Sequence, residues 1–364
     1  MKNKIYSYFE YVVTNGINPK PNQPVEIVTS SYINKYVDIL QEVLNDHGVN
    51  EIVISYIDGD EIEHEINTSW NDYLDRMIHM YLYLTSKSFA RITLSSPFTI
   101  PLVRTAAVDK YKANSYKLSF VYEYFLSVKS QHTIAAVPNV NWAIRLGMTE
   151  DELFDEILNM SYKSSALENI LDSLNSLNIK TLNFKTGLGT NLSIGLTNNF
   201  SFTGKRWKTI DNVEFEPNIP SLEIFTAPNK YLVNGRLVSA KPLYYKGSFI
   251  KNYYIDFKDG LAYPSESIRS IMSIDDGLKY VGEVALCLNI NDKIFQSTLL
   301  DENTGSHLAL GNAYLNGITE IDKINKSLYH IDLVFGTNDL FCSAITKNNK
   351  NIILIKDGKL IYEI

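Results

Sequence analysis

From residue 1 to about 150 the chain alternates between two apolar periods. Ile33, Tyr36, Val37, Leu40, Val43 and Leu44 recur at three- and four-residue spacing, which draws one apolar stripe along a helix over about Ser31–His47. The runs on either side, Val25–Val28 and Glu51–Ile57, are short, apolar and rich in β-branched residues, and predict strands. Strand, helix and strand in that order make a βαβ unit with a parallel pair. The alternation continues with a helix near Trp70–Thr85, a strand near Ala90–Leu94, a helix near Leu102–Val128 and a strand at Thr133–Val137. A first helix is expected to end at Asn15-Gly16, where glycine suits a left-handed helix terminus. This half predicts a layered α/β domain with parallel strands.

Residues 150–178 continue as helix, with Asp151, Glu152 and Glu156 in the first turns, where the helix dipole favours acids. From about 179 the texture changes to short β-rich runs separated by Gly, Asn and Asp. Strands are expected at Thr181–Phe184, Asn191–Leu196, Tyr231–Leu237, Tyr253–Phe257, Gly282–Asn289, His330–Gly336, Ile352–Ile355 and Lys359–Ile364. Lys258-Asp259-Gly260 and Lys356-Asp357-Gly358 are hairpin signals. Gly187-Leu188-Gly189 reads as another hairpin turn, since a dinucleotide fingerprint needs a strand before it and a helix after it. The fold class expected is α/β plus α+β: an α/β domain over 1–178 with a helical linker near its end, and a β-rich, barrel-like domain over 179–364.

Composition narrows the partners. The chain has 364 residues, enough for two domains, and its 45% hydrophobic and 21% charged residues are those of a globular protein. A net charge of −7 with no basic run argues against a nucleic-acid partner. Two cysteines, Cys287 and Cys342, make no disulfide framework and fit a reducing, cytoplasmic setting. In MKNKIYSYFEYVV, Glu10 interrupts the apolar stretch and no small-x-small site follows, so an amphipathic helix is expected rather than a signal peptide. No apolar run approaches the ~20 residues that span a bilayer, so no membrane partner is expected.

Four segments carry candidate chemistry, and each alone has a bland reading. His47, His64, His79 and His132 lie in the first half without ligand-like company, whereas His307 and His330 sit among polar residues and glycine. Leu300–Tyr314 reads as a strand end, a polar turn, then a short helix or tight loop. His307 and Tyr314, seven apart, would share a helix face about two turns apart, yet a solvated loop histidine fits His307 as well. His330 and Asp332 point to one face of a strand, as a chelate or as an ordinary His–Asp hydrogen bond. Glu283 opens an apolar strand, as an edge charge or a ligand. Glu223 lies between two prolines in an apolar loop, a costly place for a charge unless it is paired or bound to a cation. Together two Glu, one Asp and two His form a mixed N/O donor group suited to two divalent ions, with Zn, Co or Mn as matching metals.

These residues stand in stretches that resemble the thermophilic aminopeptidase family of metallopeptidases, the aminopeptidase T, aminopeptidase S and PepS group. The stretches are NIPSLEIFTAP (218–228), VGEVAL (281–286), STLLDENTGSHLALGNAY (297–314) and SLYHIDLVFGT (327–337), with looser likeness before residue 179. The α/β half is trimmed relative to that family. The resemblance implies metal ligands at Glu223, Glu283, His307, His330 and Asp332 and an active-site tyrosine at Tyr314. It also implies two cocatalytic divalent ions and a homodimer. The expected activity is release of N-terminal residues from peptides with a free N-terminus, through a water activated by two metals. Glu283 or Glu223 would bridge the metals or take the proton, and Tyr314 would donate to the oxyanion or the leaving amine. Two other readings remain: an amidohydrolase acting on a non-peptide amide, and a catalytically silent peptide- or metal-binding protein.

Overall fold

A computed structural model describes residues 2–58, 64–65, 68–99, 115–163, 167–245, 248–287, 290–314 and 318–361. It divides into two compact units, one of residues 1–161 with 206–220, the other of 162–205 with 221–364.

The first unit is built on parallel strands β1 (Val25–Thr29), β2 (Ile52–Tyr56), β3 (Ala90–Ser95) and β4 (His132–Ala136) in the order β2-β1-β3-β4, with the short strand Asn218–Ile219 beyond β4. The helix between β1 and β2 spans Asn34–Asp46 after one 3-10 turn, Ser31–Ile33, and buries Tyr36, Val37, Leu40, Val43 and Leu44, the stripe read from the sequence. Central placement buries Glu26 of β1 completely, and the carboxylate is satisfied by Arg91 (2.7 Å), Tyr81 (2.8 Å) and Ser55 (2.6 Å). The N-terminal helix Lys2–Tyr11 passes into a π-helical turn, Val12–Ile17, and the left-handed residue is Asn18 (φ 40°) rather than Gly16. Gly16 serves close approach instead: a Cβ there would lie 3.0 Å from side-chain carbons of Ile219 and Thr133. The first part of the helix expected over Leu102–Val128 lies outside the described residues; the rest is a 3-10 turn, Ser115–Leu118, and a helix, Ser119–Leu126.

The second unit begins in helices; those of segment 150–178 are Glu150–Tyr162, most of which belongs to the first unit, and Leu167–Ser176. The strands of its two larger sheets are β5 (Ile179–Lys185), β6 (Asn191–Leu196), β7 (Glu223–Thr226), β8 (Pro228–Val238), β9 (Tyr254–Lys258), β10 (Leu261–Pro264), β11 (Val281–Cys287), β12 (His307–Gly311), β13 (His330–Val334), β14 (Phe341–Thr346), β15 (Asn351–Lys356) and β16 (Lys359–Leu360). One antiparallel sheet runs β10-β9-β8-β6-β5-β14-β15-β16, and a second runs β7-β11-β12-β13. Leu182, Ile194 and Val233 of the first and Val284, Leu308 and Leu333 of the second meet in one apolar core. The expected hairpins form at Asp259-Gly260 (φ 50° and 84°) and Asp357-Gly358 (φ 49° and 66°), the left-handed pair that a tight turn requires.

Two sequence readings change. The stretch around Glu223 is strand β7, not a loop; all four of its residues are buried, so no polar alternation marks it. Segment 300–314 is a short helix, Thr298–Glu302, then a turn, then strand β12, so His307 and Tyr314 share no helix face. Strand β14 is a further strand that the sequence pattern did not single out.

Candidate metal centre

The second sheet has an apolar face and a chemical face. Because side chains alternate, Val284, Leu286, Leu308, Leu310, Ile331 and Leu333 enter the core, and the residues between them share the opposite side. Register aligns that side across strands: Glu283 pairs with Ala309, Ala309 with Asp332, Ala285 with His307, Gly311 with His330, and Glu223 with Cys287. The charged residues are thus separated by Ala285, Ala309 and Gly311, whose small size leaves room between them. Gly311 has a second constraint: at φ 100°, a Cβ would lie 2.1 Å from the Tyr329 carbonyl oxygen.

The result is a buried cluster. His307 Nε2 lies 3.1 Å from Glu223 Oε2, 3.5 Å from Glu283 Oε1 and 3.9 Å from Asp332 Oδ1; His330 Nε2 lies 3.1 Å from Asp332 Oδ1 and 4.0 Å from Glu283 Oε2. Donor atoms of Glu223, Glu283 and His307 fall within 4.8 Å of one another, as do those of Glu283, His330 and Asp332. Two triads therefore meet at Glu283. His307 and Glu223 are 1% and 5% exposed, and the edge-charge reading of Glu283 (5% exposed) is excluded.

The imidazoles are oriented for ligation. His307 Nδ1 is 3.2 Å from the Gly305 carbonyl, and His330 Nδ1 is 2.8 Å from the Asn312 carbonyl. A carbonyl only accepts, so each Nδ1 carries the proton and each Nε2 faces the carboxylates. Burial alone would lower the His307 and His330 pKa values. The carboxylates outweigh it, Glu223 first for His307 and Asp332 first for His330, lifting His307 well above its ordinary value and His330 to about 9. Asp332 resists burial through His330 and His307 and is held at about 2. Glu283 is raised by burial, against the pull of the two imidazoles.

A fourth carboxylate, Glu302, was not among the sequence candidates. It ends the short helix, is 8% exposed, and hydrogen-bonds Asp332. Burial, then Asp332 and Glu223, raise its pKa well above the ordinary range. Its sequence signal was the acidic pair Asp301-Glu302 after Leu299-Leu300. Only the fold separates the two: Asp301 turns away to accept from the Phe295 and Ser297 amides (2.8 and 3.2 Å). Tyr314 follows β12, with its ring centroid 5.2 Å from that of His330 and 6.3 Å from that of Phe225.

The donor set fits divalent ions. Glu223 Oε2 is buried and, despite its closeness to His307, has no hydrogen-bond donor aligned on it. Three buried carboxylates, Glu223, Glu283 and Glu302, and the partly buried Asp332 converge with two imidazole Nε2 atoms, a donor set whose charge two divalent cations would neutralise once the imidazoles give up their protons.

Such a face, two His-and-carboxylate triads on a buried sheet, is the donor chemistry of a metallohydrolase. A family profile described as thermophilic metalloprotease (M29) matches residues 1–360. The chain belongs to that family of metallopeptidases, hydrolases of peptide bonds. Aminopeptidase 2 of Geobacillus stearothermophilus is 32% identical over a match that spans 61% of this chain and 59% of that protein. Aminopeptidase AmpS of Bacillus subtilis is 25% identical over 99% of this chain and 98% of its own. Wild-type AmpT from Thermus thermophilus has the same fold, with a TM-score of 0.85 at 23% identity, over 99% of this chain and 100% of that one. Among the described residues no helix is long and apolar enough to cross a membrane.

Proposed function

We propose that this chain is a metal-dependent aminopeptidase that removes N-terminal residues from peptides with a free amino terminus. The observation that carries the reading is the pair of triads meeting at Glu283. Glu223, Glu283 and His307 would hold one divalent ion, and Glu283, His330 and Asp332 a second, with Zn, Co or Mn matching the donors. When bound, such ions acidify a water and polarise the scissile carbonyl.

The protein's own groups divide the remaining work. Glu283, common to both triads, or Glu223 would take the proton of the acidified water, and Glu302, in neither triad, hydrogen-bonds Asp332. Tyr314 would donate its hydroxyl hydrogen to the oxygen on which charge develops. His330 and His307 keep Nε2 directed at the ions because their Nδ1 protons are committed to carbonyls. A homodimer and a cytoplasmic location complete the proposal; both follow from the family likeness and composition.

The test is hydrolysis of amino-acid p-nitroanilides and short peptides after reconstitution with Co or Zn. Wild type should turn over, and His330→Ala and Asp332→Ala should lose activity by several orders of magnitude while remaining folded. Full activity in either variant after metal stripping refutes the reading. Turnover of simple amides without turnover of any peptide would favour an amidohydrolase.

A further inference from the structure

The proposed ligands are most accessible at β13. The side chains of Glu223, Glu283 and His307 are at most 6% exposed, whereas those of His330 and Asp332 are 17% and 14% exposed. β13 is also the last strand of its sheet. The Asn312 amide donates to the Tyr329 carbonyl (2.7 Å) and the Phe335 amide to the Ser306 carbonyl (3.1 Å). Odd-numbered residues here therefore hydrogen-bond toward β12, and His330, Asp332 and Val334 turn their peptide groups outward. On that outer side the Ala240 amide donates to the Val334 carbonyl (2.9 Å). The chain leaving Ala240 then forms a small hairpin, Leu243–Tyr245 with Ser248–Ile250.

The hairpin has two faces. Leu243 belongs to the apolar core, and Tyr245 and Ile250 pack against it. By alternation Tyr244 and its cross-strand partner Phe249 project from the other face. Their ring centroids lie 5.0 Å apart with the planes tilted by 44°, and both side chains are partly exposed. Tyr244 lines one cavity together with Asp332 and Val334. An aromatic pair that only stiffened its hairpin could face any direction; this one stands beside the accessible edge of the ligand cluster.

We infer that Tyr244 and Phe249 form the wall that receives the side chain of a substrate's N-terminal residue, and that this wall selects aromatic and large aliphatic side chains. The inference rests on the aminopeptidase reading, since only a substrate whose first residue sits at the metal centre brings that side chain to the hairpin. Two tilted rings offer an apolar surface on which a third ring packs edge-on or offset. A methyl side chain buries too little area there to gain comparably.

The test measures kcat/KM of the Co-loaded protein on the p-nitroanilides of L-phenylalanine, L-leucine and L-alanine, for wild type, Tyr244→Ala, Tyr244→Phe and Phe249→Ala. Wild type should favour the phenylalanyl and leucyl substrates. In Tyr244→Ala the phenylalanyl-to-alanyl ratio of kcat/KM should fall roughly tenfold to hundredfold, the scale on which an apolar pocket discriminates. Tyr244→Phe keeps the ring and should restore the ratio. Phe249→Ala should shift it in the same direction by less, and decides the matter if Tyr244→Ala fails to fold. A wild type that favours alanine, or a ratio unchanged in both alanine variants because every substrate loses equally, overturns the inference. Calorimetric binding of L-phenylalanine hydroxamate and L-alanine hydroxamate reads the same preference without turnover. If wild type hydrolyses no p-nitroanilide or peptide, the aminopeptidase reading has failed; a phenylalanine preference in binding that Tyr244→Ala erases then still supports the wall, and equal binding of the two hydroxamates overturns it.

Discussion

Glu283→Gln tests whether one side chain serves two cation sites, because it keeps the shape of the group and removes only its charge. With cation at about a hundredfold over its Kd, each occupied site adds about 2.7 kcal/mol to folding stability. Losing both amounts to roughly 5 kcal/mol, and at roughly 2–4 °C per kcal/mol for a unit of 150–250 residues the melting temperature should fall by roughly 10–20 °C. The metal-free comparison has the opposite sign. Glu283 is raised above 4.5 in the folded protein by burial, so the stability it lends is full below its unfolded pKa and disappears as pH rises through the folded one. At neutral pH it is a liability that glutamine lacks, and metal-free Glu283→Gln should melt at or above metal-free wild type. Equilibrium dialysis with metal analysis, and thermal melts with and without Co, read both effects. A variant that still binds two cations with unchanged melting, or whose metal-free form melts well below wild type, refutes the shared-ligand argument. Glu223→Gln, which belongs to one triad, should lose one cation and keep the other.

Two further outcomes follow from the ionisation of buried groups. His330, held near 9, and His307, also raised, are charged in the metal-free protein at neutral pH; binding two cations should release roughly two protons per chain, and apparent affinity should weaken as pH falls below about 9. Calorimetric titration at one pH in buffers of different ionisation enthalpy measures this, and zero proton release contradicts it. In the first unit His132 packs among Phe125, Trp207 and Phe215, and burial followed by Arg91 depresses its pKa to about 4. Its contribution to stability is complete above the unfolded value of 6.5 and is lost as pH falls from there toward 4, by about 3 kcal/mol at most. Denaturant midpoints of wild type and His132→Phe between pH 4 and 7 should diverge as pH drops, and parallel curves would refute the assignment.

Period and turn chemistry were legible along the chain without any coordinates. The stripe of residues 33–44, the alternation around His330 and Asp332, and the two Asp-Gly turns each depend on neighbours a few residues apart, so local spacing sufficed to predict the elements. The five proposed ligands were also within reach, because a carboxylate or imidazole in an apolar or glycine-rich segment is conspicuous there. Three things were decided only by tertiary structure. Glu223 became a strand residue because β7 is buried on both faces and shows no alternation to read. Glu302 could be told from Asp301 only once the short helix had turned one acid toward backbone amides and the other toward Asp332. Lys241, separated from Thr304 by 63 residues, donates to its hydroxyl at 2.5 Å, a meeting that no local pattern encodes. The physical reason is common to all three: spacing along the chain reports which face a side chain takes, but only long-range register reports what that face meets.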